Sequence, residues 1–141
     1  MAIIFHAEEI AFPDIDKKNT INWIINIIDQ ENFKLGNINI IFVSDNYLIK
    51  INKQYLSHDY YTDIIAFDYC ENEVVAGDIF ISIDRINENA EKFNTPFLNE
   101  LNRVIIHGIL HLIGFSDDTE NEKKEMRGKE NWCLNQLQNL T

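Results

Sequence analysis

The chain of 141 residues, 45% hydrophobic and 25% charged, has the size and composition of one soluble globular domain. Its formal net charge of −11 at pH 7 argues against simple nucleic-acid binding, because such affinity comes from lysines and arginines that neutralise phosphates. An RNA substrate would therefore have to meet a local basic patch or be presented by a larger assembly.

Features that would direct the chain to a membrane or out of the cell are not evident in the sequence. The N-terminal segment has no basic region of the kind that begins a signal peptide. The longest apolar stretch, 104–115, contains two histidines and is shorter than the roughly 20 residues that span a membrane. Cys70 and Cys133 lie in unrelated contexts, and we expect both thiols to be reduced. These features predict a cytoplasmic protein with no membrane association.

Two strands and two helices are predicted in the first part of the chain. Their expected positions are a strand over 3–5, a helix from 16, a strand over 38–42 and a helix from 45 to about 55. Asp14 or Asp16 is a suitable N-cap for the first helix. Gly36-Asn37 is expected to break the helical pattern before the second strand, and the polar segment 57–62 is expected to be a loop.

The second part contains two predicted strands and three predicted helices. Their expected positions are strands over 64–67 and 79–83, joined through 70–77 as a hairpin, and helices over 84–93, 96–113 and 119–137. Pro96 and Gly114 mark the ends of the long helix, and Leu98 and Leu101 are among its expected apolar positions. Together the elements predict an α+β fold in a single domain over 1–141, with a mixed sheet of about four strands packed with about five helices.

The end of the long helix carries the residues that indicate chemistry. His107 and His111 are four positions apart, so both imidazoles lie on one helical face and can converge on one metal ion. Such a pair is often incidental, but burying two unpartnered imidazoles in an apolar run would be costly. Gly114 permits a left-handed turn that can bring Ser116-Asp117-Asp118 back towards the histidines. Gly108 stands where the HExxH metallopeptidases have their general-base glutamate, which disfavours a peptidase.

The run HGILHLIGF followed by acidic residues resembles the signature of the YbeY family, bacterial ribosome-associated endoribonucleases with a histidine-bound zinc. The family pattern HGxLHLxG[YF]DH has its third histidine ten positions after the first, where this chain has Asp117. The resemblance therefore implies the metal ligands His107, His111 and Asp117, with Asp118 as the alternative third ligand. Aspartate is a competent ligand, and two histidines with one carboxylate form a known zinc and iron set.

Further blocks are similar to the family in the same order. Asn52-Lys53-Gln54-Tyr55 with the segment 62–67 resembles NxxY…TDVLSF, the segment 77–82 resembles GDIxIS, and Met126 and Glu130 match the family's last helix. The family usually has an arginine after the aromatic residue of the first block, and this chain has Leu56. That cation is either missing here or supplied by another residue.

The resemblance implies a single-strand-specific, metal-dependent endoribonuclease that acts in small-subunit ribosomal RNA maturation and ribosome quality control. It implies one Zn²⁺ per chain, although other divalent transition metals also suit such ligands. The expected partners are RNA and the ribosome or ribosomal proteins. DNA is not expected as a partner. Beyond a metal-bound water, the catalytic group is not identified. The candidates, which include the possible replacements for the family arginine, are Asp63, His58, Lys53 and Arg103.

Two other functions fit the same residues. One is a zinc-dependent hydrolase of another substrate, and the other is a non-catalytic ribosome-assembly factor whose metal is structural. Structural or surface roles are expected for His6 and His58, and a hydrogen-bonded turn for Asp63. The basic cluster on the last helix is expected to be a solvated face, since many acidic residues surround it; its members are Lys123, Lys124, Arg127 and Lys129.

Overall fold

The structure is a computed structural model that describes residues 1–56 and 62–140. Four strands and five helices lie in this part of the chain. They are β1 (Ile3–Ala7), α1 (Lys17–Gln30), β2 (Lys34–Val43), α2 (Asp45–Leu56), β3 (Ile64–Asp68), β4 (Val74–Ser82), α3 (Ile83–Lys92), α4 (Phe97–Ile113) and α5 (Glu120–Leu140). The prediction of a single α+β domain with four strands and five helices is confirmed.

The strands form one mixed sheet in the order β1-β2-β4-β3. β1 pairs parallel with β2, and β2 pairs parallel with β4. β3 is antiparallel to β4, as expected for a hairpin, and forms an edge of the sheet. The main hydrophobic core lies on one face of the sheet, where α1, α4 and α5 contribute residues such as Trp23, Ile105 and Cys133. α2 covers part of the other face through Leu48 and Ile51.

α1 and α5 are joined by a buried hydrogen bond at the centre of this core. The indole nitrogen of Trp23 donates to the backbone carbonyl of Cys133 at 2.7 Å. Both side chains are fully buried, so the bond satisfies a polar group that would be costly to leave unpaired. The two cysteines are free, as expected from the sequence.

Two details differ from the sequence prediction. The first helix already ends at Gln30, and Gly36-Asn37 lies inside β2, which has one more residue between Leu35 and Ile38 than β4 has between their partners. A β-bulge of this kind accommodates the irregularity without ending the strand. Leu98 is 44% exposed, and Phe97 instead packs against the core from the first turn of α4. None of the helices in the described ranges is both long enough and apolar enough to cross a membrane.

Candidate metal centre

α4 places two histidines side by side near its C-terminal end. The Nε2 atoms of His107 and His111 lie 3.0 Å apart, and the ring centroids are 4.5 Å apart. Both residues are partly exposed, whereas their neighbours Ile106, Ile109 and Leu110 are fully buried. The apolar face of α4 therefore packs on the sheet while the histidine face borders solvent, as the four-residue spacing predicted.

Gly108 lies between the two histidines because α4 approaches the sheet closely at this point. A Cβ atom at this position would be 2.8 Å from Ile64 Cδ1 and 3.1 Å from Ile79 Cγ2. A side chain at this position would require Ile64 and the buried Ile79 to move. The glycine thus allows α4 to pack closely on the sheet at the level of both imidazoles.

The turn after α4 brings a carboxylate to the histidines. Gly114 caps the helix with φ of 119°, a left-handed conformation that strongly favours glycine. Three residues later, Asp117 Oδ2 lies 3.4 Å from the Nε2 atom of each histidine. Asp118 is exposed and is not a member of this cluster of potential ligands, the one group of three found among the described residues.

The spacing of the three atoms fits a metal ion. A tetrahedral zinc site with bonds of about 2.1 Å has ligand atoms roughly 3.4 Å apart. The separations of 3.0, 3.4 and 3.4 Å between the two imidazole nitrogens and the Asp117 oxygen match that geometry. The cluster could therefore hold a metal ion.

Glu130, on α5, orients the first histidine. Its Oε2 atom accepts a hydrogen bond from Nδ1 of His107 at 2.7 Å. A carboxylate can only accept, so Nδ1 carries the proton of the neutral ring and the lone pair of Nε2 points into the cluster. Arg103 Nη1 donates to the other oxygen of Glu130 at 2.8 Å, and Arg103 Nη2 donates to Asn131 Oδ1 at 2.7 Å.

The pKa values of this pair follow from their contacts. Burial lowers the pKa of His107, but the hydrogen bond and charge of Glu130, with further contributions from Asp117 and Asp63, more than offset it, so that the pKa is raised. Burial raises the pKa of Glu130, and its bonds to His107 and Arg103 outweigh that effect, so that its pKa is lowered. Glu130 is therefore held as an anion beside His107.

Two further acidic residues lie close to the cluster. Burial raises the pKa of Asp63, while the nearby His107 lowers it by less. Burial also raises the pKa of Glu100, and the charge of Asp63 adds to the rise. The backbone carbonyl of Asp63 accepts a hydrogen bond from the Ser82 amide at 3.0 Å, so the residue does take part in a backbone interaction. Its side chain, however, borders the candidate metal centre.

Two open clefts meet at the cluster, and both include Asp63, His107 and Asp117 in their walls. The first cleft, of about 610 Å³, runs between α4 and α5 and is also bordered by Glu100, Arg103, Lys123, Arg127 and Glu130. The second, of about 630 Å³, runs along β3 and is also bordered by Asn52, Thr62, Asp68 and His111. The candidate metal centre is thus accessible from two sides.

The matches to known proteins agree with this architecture. The family described as Endoribonuclease YbeY matches residues 3–138 of the chain. The chain belongs to the YbeY family.

Its relatives within the YbeY family match almost the whole chain. An Endoribonuclease YbeY from Bacteroides fragilis is 48% identical over 134 residues, which cover 95% of this chain and 96% of the relative. One from Bacteroides thetaiotaomicron is also 48% identical over 134 residues, which cover 95% and 98% of the two chains. The solution structure of a Thermotoga maritima protein is 30% identical, with a TM-score of 0.70 over 96% of this chain and 88% of that one.

The candidates for the missing YbeY-family arginine occupy different positions. Arg103 borders the first cleft, but its guanidinium is engaged by Glu130 and Asn131. Lys53 is exposed on α2 and is not among the described residues that line either cleft. His58 lies outside the described residues.

The remaining residues singled out in the sequence are explained by local contacts. His6 donates through Nε2 to Asn39 Oδ1 at 3.0 Å on the sheet, apart from the cluster. In the basic cluster of α5, Lys129 pairs with Glu31 at 3.3 Å and lies over the Trp132 ring. Lys123 and Arg127 line the first cleft, so the expectation that the whole cluster is merely a solvated face is incomplete.

The sequence indicates Glu130 only through its match to the family's last helix, and nothing in the sequence singles out Glu100. Its contact with His107 joins residues 23 positions apart on two helices, and no local periodicity encodes that pairing.

Proposed function

We propose that this chain is a metal-dependent endoribonuclease that cleaves single-stranded RNA at a centre formed by His107, His111 and Asp117. The observation that carries the proposal is the position of this cluster where two open clefts meet. A strand can enter along one cleft and leave along the other, as cleavage within a chain requires. The endoribonuclease names of the relatives support the same reaction.

We propose Zn²⁺ as the resident metal, one per chain, held by the Nε2 atoms of the two histidines and by Asp117. When bound, it supplies a Lewis acid for a phosphate oxygen and lowers the pKa of a water ligand to about 7. The mixed nitrogen and oxygen ligands would also accept iron, cobalt or nickel. Three protein ligands leave a fourth position for water or substrate, which supports an enzyme over a factor with a closed structural metal site.

The chain's own residues have separate tasks around this centre. Glu130 holds the Nδ1 proton of His107, which keeps Nε2 free as a ligand, and Arg103 holds Glu130 in place. Asp63 is the candidate proton acceptor. Burial raises the pKa of its carboxyl, and a carboxylate with a raised pKa takes a proton more readily near neutral pH.

The substrate we propose is ribosomal RNA of the small subunit, within maturation and quality control. A chain with a net charge of −11 binds bare RNA poorly, so we propose that the ribosome or a ribosomal protein positions the substrate. We also propose that the protein acts in the cytoplasm and that residues 1–141 form a single functional domain.

The experiment compares metal-loaded protein with the His111→Ala variant on single-stranded and duplex fragments of small-subunit ribosomal RNA. We expect cleavage of the single strand by the wild type and a loss of at least about 100-fold in the variant, because one metal ligand is gone. Cleavage that survives at the wild-type rate in His111→Ala would assign the activity to a contaminating nuclease. Activity on a non-nucleic-acid ester or amide, with none on RNA, would select the other hydrolase function.

A further inference from the structure

We infer that Lys123 and Arg127 of α5 form the phosphate-binding cations of the site, in the place of the arginine that the first family block lacks here. The inference rests on the proposed function, since the phosphates are those of the RNA substrate. Of the two clefts that the strand would cross, the inference assigns the bound phosphates to the one between α4 and α5.

The position of the two cations is the first argument. They are four residues apart on α5 and therefore lie on the same side of that helix. Both line the cleft of about 610 Å³ together with His107 and Asp117. Arg127 Nη1 lies 3.9 Å from Glu130 Oε1, and the other oxygen of Glu130 is bonded to His107 at 2.7 Å. A single carboxylate thus separates the Arg127 guanidinium from a candidate metal ligand.

The weakness of their present interactions is the second argument. The 3.9 Å separation of Arg127 from Glu130 is beyond hydrogen-bond distance, and Glu130 is already bonded to His107 and Arg103. Lys123 Nζ lies 3.6 Å from Glu120 Oε1 in an exposed pair, a type of interaction that contributes little to stability. The side chains of Arg127 and Lys123 are 63% and 57% exposed, so an incoming phosphate can reach both.

The distribution of charge is the third argument. Asp63 and Asp117 border both clefts and would repel an approaching phosphate from either side. The cleft along β3 adds Asp68 and has no lysine or arginine among its described lining residues. The cleft along α5 adds Glu100 and Glu130 to the acidic residues, but it also has Lys123, Arg127 and the engaged Arg103. Four acidic residues there are thus accompanied by three cations, whereas the three acidic residues along β3 have none among the described lining residues. A phosphate beside the metal centre is therefore stabilised from the α5 side, where the developing charge of the reaction also needs a cation.

The test is binding of a fluorescently labelled, single-stranded 2′-O-methyl oligoribonucleotide to metal-loaded protein, followed by fluorescence anisotropy over a range of salt concentrations. The test variant is Lys123→Gln with Arg127→Gln. The matched control is Lys18→Gln with Lys124→Gln, which also removes two positive charges. These lysines are exposed on α1 and α5 and are not among the described residues that line either cleft.

We expect the test variant to raise Kd roughly tenfold for every sequence tried. The slope of log affinity against log salt should fall by about 0.7 for each phosphate that the variant no longer neutralises. The control should change Kd less than about twofold, since neither lysine lines the cleft and salt screens exposed charges. Arg127→Lys should retain most of the affinity because it keeps the charge. Unchanged thermal midpoints would show that the variants are folded.

The two proposals fail in different ways. If wild type binds the oligonucleotide and cleaves RNA, but the test variant behaves like its control, the cations have been assigned wrongly and the nuclease proposal stands. If wild type neither binds nor cleaves RNA, both proposals are overturned. A fall in affinity of equal size in the test and control variants would show that only the net charge of the protein matters. That result would also overturn the assignment.

Discussion

The two longest helices, α4 and α5, both contribute to the candidate site but differ in composition and burial. α4 is largely apolar, buries eight of its 17 residues and presents two histidines at its end. α5 spans 21 residues, mostly polar or charged, and contributes Glu130, Lys123 and Arg127. The packing of the buried helix on the sheet fixes the position of the two histidines. The charged helix supplies groups that orient those ligands or that can meet a charged substrate.

This difference between the helices predicts that substitutions next to α4 lower metal affinity more than substitutions on α5 do. The strongest test is Asp117→Asn, in the turn that follows α4. We expect metal affinity to fall by more than about 100-fold, because losing a ligand costs more than the roughly 10- to 100-fold cost of losing a ligand's partner. Metal content after dialysis against a graded chelator series measures the change.

The neighbouring aspartate provides the control for that measurement. Asp118→Asn removes the same charge from an exposed side chain outside the cluster, and its metal affinity should stay within about twofold of wild type because exposed charges are screened. A larger loss in Asp118→Asn than in Asp117→Asn would exchange the two aspartates as third ligand.

On α5, we expect Glu130→Gln to weaken metal binding by about 10- to 100-fold. The amide no longer carries the negative charge that holds the His107 proton at Nδ1, and Arg103 loses its ion pair. The same chelator series measures this change, with Glu125→Gln, an exposed position on α5, as the control. Equal metal affinity in Glu130→Gln and wild type would limit Glu130 to a structural pairing with Arg103.

The smallest effects are expected on the free energy of unfolding, from a matched pair of glycine substitutions. Gly108→Ala on α4 should lower the free energy of unfolding by about 1 kcal/mol, because the contacts of the new methyl group with Ile64 and the buried Ile79 outweigh the helix preference of alanine. Gly128→Ala on α5 should raise it by about 0.5–1 kcal/mol, since nothing lies within 4 Å of the added carbon and alanine favours the helix. Urea denaturation of the two variants measures both. Stabilisation by Gly108→Ala would mean that the packing of α4 on the sheet is looser than its distances indicate.

The same contrast explains what the sequence could predict. Along α4 the information is local: Pro96 and Gly114 bound the helix, and the four-residue spacing puts both histidines on one face. Asp117 follows from its place in the family motif. The pairing of Glu130 with His107 depends on how α5 docks on α4, and the burial of Asp63 and Glu100 depends on the clefts formed by that docking. No local pattern reports such long-range pairings.

The fold was predictable to a similar extent and for similar reasons. Alternation and helical spacing indicated the elements and their class. They missed the bulge at Gly36-Asn37, because a glycine beside an asparagine has the same composition in a turn and in an irregular strand. They also misplaced Leu98, because apolar spacing alone does not tell which of two adjacent side chains in a first turn will reach the core.

The hydrogen bond from Trp23 to the Cys133 carbonyl gives the protein an internal optical reporter. The Trp23 indole is fully buried against α5, whereas the indole of Trp132 is already 40% exposed on the outer side of that helix. Separation of α5 from α1 would hydrate Trp23 and change little around Trp132. A red shift in tryptophan emission would therefore follow the detachment of the helix that carries Glu130, Lys123 and Arg127, without any added label.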